Sequence, residues 1–525
     1  MNYSLPFESF DSWLKDQAKK YQDKPAIFFD NFVSGKKIII SYKQLNDWTN
    51  RLANLFLFDW KLKAGDKISL AFPNTPEIIL INFAAWRAGL VSVPLDVSRD
   101  TNERKKYKLQ FTNTKVLLAN QEYSFKLPGV KTISFKDWFS FIEALTGDNL
   151  KTLPKTNPVA DALVLFTSGT TSLPKGARLS LTNLWANAES IVDWLQFTNK
   201  DRWQVVLPLH HINSTTFVNT TLSAGATVVL IPQYSKSRFW QLAAKNKISG
   251  TSIVPTIAYD LLSEQANFQK LKSQLKAFKR IQLGSAPVQP TVVEAFIRQF
   301  KIPLVQGYGQ TETALRSTGV PLDLSKTQFE KIRKLNSLGT NLKYTQVAIL
   351  NKNGQQLPAN TVGNICVRGP VVMKGYLKNK KANQEAFAYD WFHSGDTGYW
   401  QQFFGKKFFF LKGRSHEIIK KGGVLISPLA IENALLKTFP SLTQVYAVGF
   451  PDLRMGQEIG IVSTSDAPVD LLKKLPLKNY EHPKSWIKIK EKQLPKTSTG
   501  KVQRVKIREL FAQKLLEQSR TVFQN

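Results

Sequence analysis

Ala162-Leu163-Val164-Leu165, followed by Phe166-Thr167-Ser168-Gly169-Thr170-Thr171-Ser172-Leu173-Pro174-Lys175-Gly176, decides the fold of this chain. The four apolar residues read as a buried strand. The polar string after them carries few side chains that would cover the backbone. Successive amide N–H groups can therefore turn toward one anion, with Ser and Thr hydroxyls as extra donors and Lys175 as a positive charge. Phosphate oxygens need that combination. The string is not a Walker A loop, because its lysine precedes the glycine and no Gly-Lys-Ser/Thr follows. A plain polar turn explains a generic Ser/Gly/Thr loop equally well; the length and order of this one favour phosphate.

Outward from that loop, strand-length apolar runs alternate with amphipathic helical patterns. Lys67–Phe72, Leu90–Pro94 and Lys115–Ala119 read as strands, with a helix over Thr75–Ala88. Gln204–Pro208, Thr227–Ile231, Gly250–Val254 and Arg280–Leu283 continue the series. This βαβ alternation predicts parallel sheets covered by helices, which place ligands beyond the carboxyl ends of their strands. From about Leu338 the texture changes to short strands and turns such as Lys352-Asn353-Gly354, a β-rich subdomain. Gly413-Arg414-Ser415-His416 reads as a connector, and the residues after it as a small separate α/β domain.

The chain has 525 residues and a net charge of +33, from 72 basic and 39 acidic residues. Such a charge attracts polyanions. Lys pairs recur along the whole chain, however, and no basic arm or aromatic-basic motif stands out, so no specific nucleic acid is expected. Loose contact with an anionic membrane surface stays open. The single cysteine, Cys366, excludes an intramolecular disulfide and a thiolate zinc site. Its alternating surroundings make it a core residue rather than a nucleophile. The N-terminus lacks a basic region followed by an apolar core. Phe7, Phe10, Trp13 and Leu14 instead mark one face of a first helix, and the apolar window near Ile78–Leu95 is broken by Asn82 and Arg87. A cytoplasmic protein is the expectation.

Three more segments carry chemistry. Gln306-Gly307-Tyr308-Gly309-Gln310-Thr311-Glu312 combines glycines that let a planar ring approach the backbone, a stacking face in Tyr308, and a hard oxygen for Mg²⁺ in Glu312. Asp396, between Gly395 and Gly398, can accept from both hydroxyls of a ribose; an Asx turn is the alternative. Pro495-Lys496-Thr497-Ser498-Thr499-Gly500-Lys501 presents Lys501 after a flexible turn, where a lysine can neutralise charge developing on a phosphate. Alone, it would be one more surface lysine.

Together and in this order, the segments closely resemble the adenylate-forming superfamily of acyl-CoA synthetases, luciferases and peptide-synthetase adenylation domains. The match runs from Ser41-Tyr42-Lys43-Gln44-Leu45 to Arg504 and includes Ala88–Leu95, Leu207-Pro208-Leu209-His210-His211 and Gly284-Ser285-Ala286-Pro287. The resemblance implies an α/β fold: a large N-terminal domain, 1–415, of two parallel-type α/β subdomains plus a β-barrel-like subdomain, and a small mobile C-terminal α/β domain, 416–525. It implies a two-step reaction in which a carboxylic acid attacks the α-phosphorus of Mg-ATP and a thiol then displaces AMP. Positioning and charge stabilisation suffice for that chemistry.

By the same resemblance, Thr167, Ser168, Gly169, Thr170, Thr171 and Lys175 hold phosphates. Thr311 contacts the α-phosphate and Glu312 holds Mg²⁺. Gly284, Ser285, Ala286, Pro287 and Tyr308 flank adenine, within the Gln306-Gly307-Tyr308-Gly309 segment. Asp396 and Arg414 bind ribose. Lys501 bridges the substrate carboxylate and the α-phosphate, and His211 gates the acyl pocket, to which Phe217, Val254 and Ala314 belong. His416 is the hinge, where Asp or Lys is usual. Lys420, Gly422 and Gly423 lie where the pantetheine tunnel of coenzyme A closes.

Leu209–Asn213 offers no carboxylate for a substrate ammonium, so an α-amino acid is disfavoured. The stretch from His211 to Trp240 looks most like ligases for fatty or carnitine-type acids, and the expected substrate is a fatty or other aliphatic acid. No carrier domain follows Asn525, which favours free coenzyme A. An enzyme loading a separate acidic carrier protein, and a non-catalytic nucleic-acid- or membrane-binding member of the fold, are the alternatives.

Overall fold

The computed structural model describes residues 3–123, 125–147, 150–167, 174–284, 290–414, 417–468, 474–497 and 502–522. Two large sheets carry the N-terminal four-fifths. In the first, Leu304–Tyr308, Arg280–Leu283, Gly250–Ile253, Arg202–Val205, Thr227–Leu230 and Pro25–Asp30 run parallel in that order. Short antiparallel strands extend both of its edges to nine strands. In the second, Asp161–Thr167, Val91–Pro94, Lys67–Ala71, Thr114–Ala119 and Lys131–Ser134 are parallel, and Lys175–Ser180 and Gly375–Tyr376 add antiparallel strands beside Asp161–Thr167.

Val91–Pro94, Thr227–Leu230, Gly250–Ile253 and Arg280–Leu283 are buried at every residue. That is what continuous apolar runs become when helices cover both faces of a parallel sheet. The predicted helix forms over Pro76–Arg87, with Pro76 in its first turn, and is buried almost throughout. The first helix is Phe10–Tyr21; Phe10, Trp13 and Leu14 are buried on the face the sequence marked.

Two features go beyond the sequence reading. Pro25–Asp30 and Lys37–Ser41 join the nine-stranded sheet beside residues two hundred positions away, a pairing that no local pattern announces. The phosphate loop links two antiparallel strands, with Thr167 opposite Lys175. The next helix, Leu181–Leu195, starts only at the Ser180 cap.

The β-rich region is a four-stranded antiparallel sheet of Gln346–Leu350, Gly363–Arg368, Phe392–Phe403 and Lys406–Arg414. A bridge between Gly339 and Phe409 ties it to the edge of the nine-stranded sheet. Cys366 is buried there and burial pushes its thiol up to about 12, which makes it a packing residue as expected.

The C-terminal α/β unit has a hairpin, Ile419–Lys421 with Val424–Ile426, and a three-stranded sheet of Val445–Asp452, Gly456–Ser463 and Ser485–Lys488. Helices Pro428–Thr438 and Arg504–Val522 cover it. Its hydrophobic clusters are its own. Arg504 joins the two helices by forking onto Glu432 at 2.7 and 2.6 Å. No described helix is long and apolar enough to cross a membrane.

Candidate active site

Tyr308 ends a parallel strand, and its hydroxyl donates to Asp396 Oδ2 at 2.6 Å. Asp396 lies opposite Arg414 in the antiparallel sheet. Arg414 Nε meets the other carboxylate oxygen at 2.9 Å. The backbone is clamped around this trio. Arg414 Nη1 and Gln310 Nε2 both donate to the Ser394 carbonyl, at 3.0 and 3.2 Å, and the Asp396 N–H donates to Ser394 Oγ at 3.1 Å. Burial, then the neighbouring Asp396 charge, pushes the Tyr308 phenol well above its ordinary value, so it stays a donor. Burial works against the Arg414 charge, but Asp396, Tyr308 and Glu312 outweigh it and raise the guanidinium.

Glu312 sits in the turn Thr311–Thr313 and is 7% exposed. Tyr376 donates to its Oε1 at 2.8 Å. Lys175 Nζ lies 5.0 Å from the centre of the Tyr376 ring, so Tyr376 stands between the lysine and the carboxylate. Burial first, and then Glu312, pushes the Tyr376 phenol up. Thr167, Lys175, Tyr308, Glu312, Asp396 and Arg414 thus meet at the junction of the two parallel sheets and the antiparallel one. One Asp396 oxygen meets Tyr308 and the other Arg414, and each keeps a lone pair for a further donor. Glu312 has one oxygen engaged by a neutral hydroxyl, which suits the other to a hard cation.

His211 caps the helix Ile212–Ser223, with its ring 4.4 Å from that of His210. Burial and His210 hold His211 far below the ordinary imidazole value, at about 3. The missing carboxylate beside these histidines arrives from elsewhere: Asp96 Oδ2 is 3.3 Å from His210 Nε2. Asp96 follows the strand Val91–Pro94, and its Oδ1 accepts from the backbone of Ser98 and Arg99. Arg99 also donates to the Lys496 carbonyl, and Lys496 pairs with Val502. Lys496 and Val502, which flank position 501 in the sequence, are therefore tied to the segment of Asp96 and Arg99.

Packing also holds these glycine positions small. A Cβ on Gly284 would lie 2.5 Å from Arg316 Nη2, and one on Gly307 would lie 3.0 Å from Arg316 Cδ. A Cβ on Gly309 would lie 2.1 Å from the Leu315 carbonyl oxygen. These positions are small because the Leu315–Arg316 segment packs against them and, at Gly307, Trp194 does so more closely still, at 2.6 Å. Gln306 turns its amide to Asn336 at 3.0 Å. Lys420, Gly422 and Gly423 belong to the C-terminal hairpin, where the Lys420 and Gly422 N–H groups are held by Gln457 and Met455.

Ser168, Gly169, Thr170, Thr171, Ser285, Ala286, Pro287, His416 and Lys501 lie outside the described residues. Sequence reasoning missed Tyr376, Ser394 and Arg316. Met373-Lys374-Gly375-Tyr376 and the Arg after Ala314-Leu315 carry no motif by themselves.

Residues 14–377 match the family described as AMP-binding enzyme. The chain is 30% identical to oxalate–CoA ligase of Arabidopsis thaliana over 97% of its own length and 99% of that protein. It is 31% identical to sulfoacetate–CoA ligase of Cupriavidus necator over 85% of this chain and 88% of the other. The fold matches that of o-succinylbenzoate CoA synthetase from Bacillus subtilis, in complex with its acyl-adenylate intermediate, with a TM-score of 0.78 at 24% identity, covering 94% and 96% of the two chains.

Proposed function

We propose that this chain, which belongs to the AMP-binding enzyme family, is a carboxylate–CoA ligase that makes an acyl-adenylate from an organic acid and ATP and passes the acyl group to coenzyme A. The observation that carries the reading is the convergence of Lys175, Glu312, Asp396 and Arg414, from four distant segments, on one polar centre held by Tyr308 and Tyr376. Relatives named as ligases for oxalate and sulfoacetate support it.

In this reading the acid carboxylate attacks the α-phosphorus, the bond to the pyrophosphate oxygen breaks, and acyl-AMP results. Asp396 accepts from the ribose hydroxyls while Arg414 and Tyr308 hold its carboxylate in orientation. Lys175 and the loop from Thr167 hold the phosphates against departure. Glu312 suits Mg²⁺, which would supply charge neutralisation on the phosphates when bound. Lys501 bridges the carboxylate and the α-phosphate. The thiol of coenzyme A then attacks the acyl carbon and AMP leaves. Neutral His211 borders the acyl side, where a charged imidazole would bind the carboxylate in a wrong register. The boundary at 416 and rotation of the C-terminal unit between the half-reactions, which would bring Lys420, Gly422 and Gly423 to the centre, belong to the same proposal.

For the acid, the expectation of a fatty or other aliphatic chain narrows to its second half. The helix Ile212–Ser223 is buried along its whole length yet carries Asn213, Ser214, Thr215, Thr216, Asn219 and Thr220. That composition suits a small polar acid better than a long alkyl chain. The test is product analysis with purified protein, Mg-ATP, coenzyme A and a panel of organic acids. AMP, pyrophosphate and an acyl-CoA should appear in equal amounts. Formation of ADP and orthophosphate, or no acid dependence at all, would overturn the proposal.

A further inference from the structure

Arg316 is a buried charge without a counter-charge. It is 0% exposed. Nη2 donates to Gln282 Oε1 at 2.8 Å, while Nε and Nη1 have no hydrogen-bond partner among the described residues. No Asp or Glu faces it among the described residues, and burial alone lowers its guanidinium to about 9, so it remains charged at neutral pH. Most of its five N–H donors therefore lack an acceptor. Two other buried arginines show how such a group is ordinarily settled. Arg87 reaches Asp11 and Asn46. Arg280 lies over the rings of Phe197 and Trp203 and faces Asp201. An unpaired guanidinium in a folded interior is costly enough to call for an anion.

Its position says which anion. The guanidinium lies against Gly284 and Gly307, at the carboxyl ends of two parallel strands and one residue from Tyr308. Gln282 Oε1 also accepts from Ser252 Oγ at 2.7 Å, and Ser252 Oγ accepts from Asn213 at 2.9 Å, two residues past the His211 cap. Thr216 of the same helix donates to the Ala314 carbonyl at 2.8 Å. Arg316 therefore occupies the space between the polar helix and the strand ends, on the acyl side of the centre. It is delivered there by an unusual backbone. Ala314 and Leu315 have φ of 52° and 125°, consecutive non-glycine residues in the left-handed region, a conformation that costs free energy and persists only where the surroundings impose it. Asn187 imposes it, accepting from the Arg316 N–H at 3.2 Å and donating to its carbonyl at 2.6 Å.

We propose that Arg316 receives a second anionic group on the substrate, so that this enzyme activates acids with two acidic groups, a dicarboxylate or a carboxylate paired with a sulfonate. This rests on the ligase reading above. One carboxylate reacts at the α-phosphorus and the other group pairs with Arg316, which fixes the end that reacts. A monoacid of the same length leaves the guanidinium unpaired and is rejected by that desolvation cost.

The test measures acid-dependent pyrophosphate release with shape-matched pairs: malonate and propionate, succinate and butyrate, glutarate and pentanoate, sulfoacetate and propionate. At least one diacid should exceed its partner by about 100-fold in kcat/KM. Arg316→Met should collapse that ratio, chiefly by raising KM for the diacid, and Arg316→Lys should restore part of it. Without acid, R316M should melt at or above the temperature of the unaltered protein. Monoacids turned over as well as their diacids would overturn this proposal and leave the ligase reading standing. An R316M protein that melts lower and loses all acids equally would also overturn it, by making Arg316 structural. Silence with every acid would overturn the ligase reading itself, and this proposal with it.

Discussion

Arg87 and Arg316 are both 0% exposed, and they keep different company. Arg87 ends the helix Pro76–Arg87 and ties the first helix to the helix Tyr42–Asn54, with its Nη1 on the Asn46 carbonyl at 2.6 Å and Thr49 Oγ1 at 3.0 Å and its Nη2 on Asp11. Arg316 has one neutral amide oxygen. The first is a charge neutralised within the chain. The second is a charge left over by folding, beside the centre where Asp396, Glu312 and Lys175 meet. A buried ion with its partner specifies packing; a buried ion without one specifies a ligand.

The contrast is broken most directly at Arg87. Replacing it with Met leaves Asp11 facing an apolar pocket, and unfolding free energy should fall by about 3 kcal/mol, the low end for a broken buried pair because Lys15 still reaches Asp11 at 2.7 Å. Chemical denaturation measures this. An unchanged midpoint would mean that Arg87 is as loosely paired as Arg316. Asp396→Asn comes next. It removes the ion pair with Arg414 and the charged ribose acceptor together, and KM for ATP should rise by about 10- to 100-fold, the worth of one or two charge-assisted hydrogen bonds. A change confined to KM for the acid would place Asp396 elsewhere in the reaction.

Arg316→Met is expected to act with the opposite sign from Arg87→Met, raising stability by roughly 1 kcal/mol as an unpaired charge disappears. That gain should be pH-dependent. The folded guanidinium is lowered to about 9, so both folded and unfolded states are protonated below that pH and the burial cost is fully present. As pH rises through 9 the folded chain releases the proton before the unfolded one does, and the difference between variant and parent should shrink. His211 sharpens the same logic in acid. Its folded value of about 3 lies below the ordinary imidazole, so the unfolded chain gains a proton as pH falls below 6.5 while the folded one does not. Stability should drop across that window, and His211→Gln should flatten the drop. A parallel pH profile for the two proteins would remove the basis for a neutral imidazole at the acyl side.

Much of the framework was legible because it is written in local periodicity. The strand at Arg280–Leu283 falls where its apolar run predicts, and Pro76–Arg87 differs from its predicted bounds by a residue at each end. Pairings between remote segments were not legible. Nothing in Pro25–Asp30 announces Thr227–Leu230 as its neighbour. Within the site, Asp396, Arg414, Tyr308 and Glu312 were readable because glycines and turn residues surround them in an order shared with a family. Tyr376 and Ser394 were not, since a tyrosine after a glycine and a serine before one occur everywhere, and only tertiary structure brings them to Glu312 and Asp396. Arg316 escaped for a further reason. In the sequence it is one of 72 basic residues, and only its burial without an acid sets it apart.

The central claim is that Lys175, Glu312, Asp396 and Arg414 form one centre for joining an acid to AMP. Exchange of labelled pyrophosphate into ATP, without coenzyme A, tests it in isolation from the thiol step. The account predicts exchange that requires an added organic acid and is lost in Asp396→Asn. Exchange that proceeds equally without acid, or acid-dependent label transfer that D396N leaves intact, would contradict it.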